Sequence, residues 1–84
     1  MFQIEYSPKA SKNLEKIPRK HQDRILRAVD NLSTDPFLGK KLEGHYTGLY
    51  SLRVWPYRII YAIEKKKLII YVVTIGHRQS IYNH

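Results

Sequence analysis

Apolar and polar residues alternate over Phe2-Gln3-Ile4-Glu5-Tyr6, the period of a short strand with one buried face. The period then lengthens. Ala10, Leu14 and Ile17 recur at i, i+4 and i+7, which makes one apolar face of a short helix. Ser7-Pro8 supplies a capping hydroxyl, then a proline at the first helical position, where no N–H is needed. Pro18 ends this helix and can open a second. There Ile25, Leu26, Val29 and Leu32 are expected to form the buried stripe, with Arg19, Lys20, Arg24 and Arg27 largely outside it. Asp35-Pro36 closes the second helix, because the residue before a proline is biased away from helical geometry. Residues 36–47, with Gly39, Lys40, Lys41 and Gly44, read as a loop. Beyond it, β-branched and aromatic residues dominate 49–54, 57–63 and 68–75, three further strands. Trp55-Pro56 separates the first two and Glu64-Lys65-Lys66-Lys67 the last two, so the three should run as consecutive antiparallel hairpins. The predicted order is β-α-α-β-β-β. This is an α+β fold class, a small, mostly antiparallel sheet with two N-terminal helices packed on one face, in one domain spanning 1–84.

Alternation sorts the strand side chains. Tyr50, Leu52 and Val54 share a face opposite Ser51 and Arg53, and Tyr57, Ile59, Tyr61 and Ile63 share a face opposite Arg58, Ile60 and Ala62. Both apolar sets must meet the helices, so Leu52 should oppose Ile59, Tyr50 should oppose Tyr61, and Arg53 should stand across from Arg58 on the open face. Like charges in that position repel. An anion between them relieves the repulsion, and the planar guanidinium fork matches phosphate oxygens. The plainer alternative is that both arginines simply reach water from a solvated face. The last strand returns to Gly76-His77-Arg78 at the same end of the sheet, about 10–13 Å from the level of Arg58 by strand rise, with Gly76 letting the chain leave the sheet. His77 has a side chain suited to proton transfer near neutral pH. Tyr82 either stacks on a nucleic-acid base at this rim or anchors the C-terminus in the core.

Composition narrows the chemistry. Of 84 residues, 43% are hydrophobic and 26% charged, which is globular rather than disordered. Cysteine is absent, which excludes a disulfide scaffold, a thiol nucleophile and cysteine-ligated metal. The opening residues do not read as a signal peptide and no apolar run reaches membrane-spanning length, so a cytoplasmic location is expected. The formal charge is +8 and uneven, with nine basic and six acidic residues up to Thr47 but six basic and one acidic after it. Such a balance favours a polyanionic partner. His21, His45, His77 and His84 are scattered without metal-ligand spacing, Glu64 is the only acid after Glu43, and no glycine-rich phosphate loop is present. What remains is a metal-free, cofactor-free basic site. It suits RNA, whose 2′-hydroxyl is a built-in nucleophile.

Six stretches, taken together, resemble the RelE/ParE superfamily of type II toxin–antitoxin toxins, and its RelE branch in particular. They are Tyr6-Ser7-Pro8, Asp35-Pro36-Phe37, Lys41-Leu42-Glu43-Gly44, Gly48 to Val54 (Gly-Leu-Tyr-Ser-Leu-Arg-Val), Tyr57-Arg58-Ile59-Ile60-Tyr61, and Ile75-Gly76-His77-Arg78 with Ile81-Tyr82. The resemblance implies a RelE-like fold and a metal-independent endoribonuclease that cleaves mRNA in the 30S A site of the ribosome. It also implies inhibition by a small acidic or amphipathic antitoxin. Carried over residue by residue, Arg53 and Arg58 bind and polarise the scissile phosphate, Arg78 stabilises the transition state or leaving group, and Tyr82 stacks on the mRNA. His77, where some members have lysine, is a candidate acid or base. Lys40, Lys41 and Ser51 are assigned to substrate binding, Ser51 standing where RelE-type nucleases often carry a basic residue. The alternatives are a ParE-like toxin that blocks DNA gyrase without cutting RNA, and a degenerate relative kept as a partner-binding module.

Overall fold

The computed structural model describes residues 1–77. The chain runs through strand β1 (Gln3–Tyr6), helices α1 (Pro8–Glu15) and α2 (Arg19–Leu32), strand β2 (Lys40–Lys41), a 3₁₀ turn (Gly44–Tyr46), and strands β3 (Leu49–Val54), β4 (Tyr57–Glu64) and β5 (Ile69–His77). The expected α+β fold is what forms, with one addition: the stretch expected to be loop contains β2. This two-residue edge strand pairs Lys40 with Ser51 and Lys41 with Tyr50, and edge lysines discourage pairing with another chain. The sheet order is β1-β5-β4-β3-β2, antiparallel throughout except that β1 runs parallel to β5, from Gln3 opposite Ile69 to Tyr6 opposite Val72.

Ser7 starts α1 as predicted. Its hydroxyl accepts from the Ala10 N–H at 2.9 Å and donates to the Val73 carbonyl at 2.6 Å, tying the helix cap to the sheet. Val73 is special because the β4–β5 register slips there: Ile60 faces Thr74 while Tyr61 faces Val72. This bulge reverses the alternation of β5, so that Ile70, Val72 and Ile75 are all buried. Past the end of β1 the edge of β5 is covered by Asn13 of α1, whose Oδ1 accepts from the Ile75 N–H at 3.1 Å and from Thr74 Oγ1 at 3.0 Å.

Ala10, Ile17, Ile25 and Val29 of the helical layer pack on Val54, Ile59, Val72 and Ile75 of the sheet. Each large aliphatic side chain so buried contributes about 1.5–3 kcal/mol. Leu26 departs from the expected stripe. It is 39% exposed and lines an open groove between the helices with Tyr6, Leu14 and Gln22, because Ile25, Val29 and Leu32 already fill the face turned to the sheet. A second cluster centres on Tyr61 with Leu32 and Ile70. The Tyr61 hydroxyl donates to the Pro36 carbonyl at 2.7 Å and accepts from the Gly39 N–H at 3.0 Å, and Tyr50 stacks on its ring at 5.5 Å. Gly39 is required there, since an added Cβ would sit 2.6 Å from the Tyr61 hydroxyl oxygen. These bonds press residues 36–39 against the sheet and deliver the chain to β2.

Two strand ends differ from the sequence reading. Leu68 adopts a left-handed conformation (φ 56°) that closes the β4–β5 turn, so β5 begins one residue later. At the other end Gly76 does not release the chain but stays in the ladder opposite Arg58, and His77 follows opposite Tyr57. They therefore lie on the strand adjacent to Arg58, about 5 Å across the ladder, not 10–13 Å away. Among the described residues no helix is long and apolar enough to cross a membrane.

Candidate functional site

The site is built on the hairpin of β3 and β4. The two-residue turn Trp55-Pro56, with a cis peptide bond, follows the pair Val54–Tyr57, and the next pair inward is Arg53–Arg58. The predicted partners Leu52–Ile59 and Tyr50–Tyr61 are also in place. Because Val54 and Ile59 are covered by the helices, Arg53 and Arg58 project from the opposite face. Arg53 is exposed and Arg58 half-buried. Among the described residues the one ion pair is Lys67–Glu64, at 3.8 Å in the far hairpin, so neither arginine is neutralised by a described carboxylate. Two facing guanidinium groups with no described acid between them form a receptor for an oxyanion.

The same face carries Ser51, in register with Ile60 on one side and Lys40 on the other. The structure thus brings Lys40 to the arginine face, while Lys41, opposite Tyr50, falls on the helical side at the sheet edge. Ser51 is only 5% exposed, and its hydroxyl, closed off from solvent, has no hydrogen-bond partner among the described residues. Substrate can reach it only after neighbouring side chains move. A buried hydroxyl without a partner costs about 1–3 kcal/mol. Ser51→Ala is therefore expected to raise the thermal midpoint, and a melt that falls instead would show the hydroxyl to be engaged.

His77 takes a different position from the arginines. As the partner of Tyr57 and two residues on from Ile75, it lies on the helical side of the sheet's end, and Gly76 is the residue that faces Arg58. Its ring meets Tyr57 edge-on at 5.9 Å, and Tyr57 meets His21 of α2 likewise at 5.4 Å. The alternation of 75 and 77 in the sequence carried this signal. Arg78 and Tyr82 lie outside the described residues. No group of three His, Asp or Glu side chains able to hold a metal occurs among the described residues. The clear protonation shifts belong to the core: burial raises the Tyr61 hydroxyl above its ordinary range, and Tyr6 is raised by burial and by Asp30.

Known proteins resemble this chain over nearly all its length. A family model described as the ParE toxin of type II toxin–antitoxin systems, parDE, matches residues 4–82. Toxin RelG of Mycobacterium tuberculosis is 30% identical over 87 residues, covering 96% of this chain and 95% of that protein. Among solved structures, the archaeal RelE–RelB complex from Pyrococcus horikoshii matches with TM-score 0.79 and 30% identity, covering 94% of this chain and 97% of that one. The RelBE2 toxin–antitoxin complex of Mycobacterium tuberculosis matches with TM-score 0.86 over 92% of this chain and 98% of that one; at 24% identity it speaks to fold alone.

Proposed function

Because the chain belongs to the ParE toxin family of type II toxin–antitoxin systems, we propose that this toxin acts as a metal-independent endoribonuclease on mRNA in the ribosomal A site. The observation that carries the reading is the facing Arg53–Arg58 pair on the face away from the helices, unopposed by any described carboxylate. In this reaction the 2′-oxygen attacks the adjacent phosphorus and the P–O5′ bond breaks. The fragments bear a 2′,3′-cyclic phosphate and a 5′-hydroxyl, the proton lost by the 2′-hydroxyl being balanced by one delivered to O5′. Arg53 and Arg58 hold the non-bridging oxygens and stabilise the charge that gathers there. Lys40, on the same face, extends the basic surface along the RNA backbone, and Lys41 does so from the sheet edge. Arg78 is assigned to the leaving group and Tyr82 to stacking, whereas His77, on the helical side with Tyr57, is not given the proton transfer expected of it. No cofactor is invoked.

The toxin's natural inhibitor in this proposal is a cognate antitoxin, as in the toxin–antitoxin complexes of the relatives. An acidic or amphipathic antitoxin segment complements a chain of charge +8. A second reading, inhibition of DNA gyrase without RNA cleavage, is favoured by the ParE description of the matching family. Expression of the toxin followed by mapping of RNA 5′ ends separates the two. New ends within codons are expected, whereas intact mRNA with a supercoiling defect would overturn the nuclease reading in favour of gyrase.

A further inference from the structure

One side chain beside the arginine pair has no place in either core cluster. Trp55, the chain's one tryptophan, stands in the β3–β4 turn with 54% of its surface exposed. Tryptophan combines a large apolar face with a polar edge, and it is enriched where a surface binds something. The turn fixes its position. It has two residues, and the ladder is paired up to Val54–Tyr57, so the tip cannot swing independently of Arg53 and Arg58. At strand rise the Trp55 backbone lies about 7 Å from that of Arg53, within reach of the nucleotide next to a phosphate held by the two guanidinium groups. A rigidly mounted aromatic beside a phosphate clamp is the arrangement that single-stranded nucleic acid exploits, one group taking the backbone and the other a base.

We propose that Trp55 is the stacking platform for an RNA base adjacent to the phosphate gripped by Arg53 and Arg58, an assignment that rests on the nuclease reading. Stacking tolerates any base, so Trp55 contributes affinity and register without choosing a sequence. In the test, the full chain and its Trp55→Leu and Trp55→Phe variants are titrated onto ribosomes carrying mRNA. One series uses ordinary mRNA and the other a 2′-O-methyl mRNA that lacks the attacking hydroxyl. Trp55→Leu is expected to raise the half-saturating concentration about 5- to 150-fold on both. The saturated cleavage rate should change less than about threefold, and Trp55→Phe should recover most of the affinity. Unchanged half-saturation in Trp55→Leu overturns the assignment, as does a Trp55→Phe protein as weak as Trp55→Leu. A wild-type chain that binds the 2′-O-methyl mRNA through Trp55 yet leaves ordinary mRNA whole supports the stacking role and overturns the nuclease reading. A wild-type chain that binds neither mRNA overturns both.

Discussion

Arg58→Ala is expected to slow cleavage of ribosome-bound mRNA by roughly 10²–10³-fold and to relieve growth arrest, with the fold intact. The magnitude follows from what is removed: a donor aimed at oxygens whose charge grows in the transition state. The fold should survive because Arg58 is engaged with no described carboxylate, so its loss orphans no acid among the described residues, and it relieves the repulsion from Arg53 across the ladder. Arg53→Ala should behave likewise. The double variant should lose less than the product of the two single effects, since both groups serve one phosphate. Arg58→Lys should recover activity only in part, because an ammonium lacks the planar fork. Single-turnover cleavage paired with thermal melts checks this, and an Arg58→Ala protein that cuts at the wild-type rate sinks the phosphate assignment.

Tyr61→Ala should be the most damaging core change, at about 3–5 kcal/mol. A chain of 84 residues has only about 4–13 kcal/mol of total stability, so this variant should lose a large share of it. Tyr61→Phe isolates the hydroxyl: it leaves the Gly39 N–H and the Pro36 carbonyl without their partner, at about 1–3 kcal/mol. The same hydroxyl sets an alkaline limit. Its native pKa is raised above the ordinary value of 10.0, as is that of Tyr6, so above pH 10 the unfolded chain releases protons that the native one keeps. The stabilisation is complete below pH 10 and declines as pH climbs toward the native values. Urea melts at neutral pH and above pH 10 should show a shallower alkaline decline in Tyr61→Phe than in the wild type.

The β3–β4 register was legible residue for residue, because two apolar sets that must meet the same helices admit only one phase. The Ser7 cap was legible for a similar reason, being a local signal with a local partner. Elements governed by distant partners were not. β2 has two lysines and no pattern of its own, and exists because Tyr61, twenty-odd residues away, holds the loop through Pro36 and Gly39. The bulge at Val73 depends on Ser7, at the other end of the chain. Leu26 satisfies helical periodicity, and only packing shows that the face was already full. In the site, the arginine pair follows from alternation, whereas Gly76 stays in the ladder although glycine commonly marks a strand exit. Its place in the ladder puts His77 on the helical side. The closed-off hydroxyl of Ser51 depends on the packing around a sheet position, which alternation does not encode.

The parallel pairing of β1 with β5 has a consequence for how the toxin comes into being. Gln3 pairs with Ile69, so β1 finds its neighbouring strand only after more than sixty further residues have been synthesised. At about 5–20 residues per second, the N-terminal segment spends seconds without its partner strand. Through that interval the sheet lacks its β1–β5 pairing, and the incomplete toxin is open to an antitoxin already present in the cell.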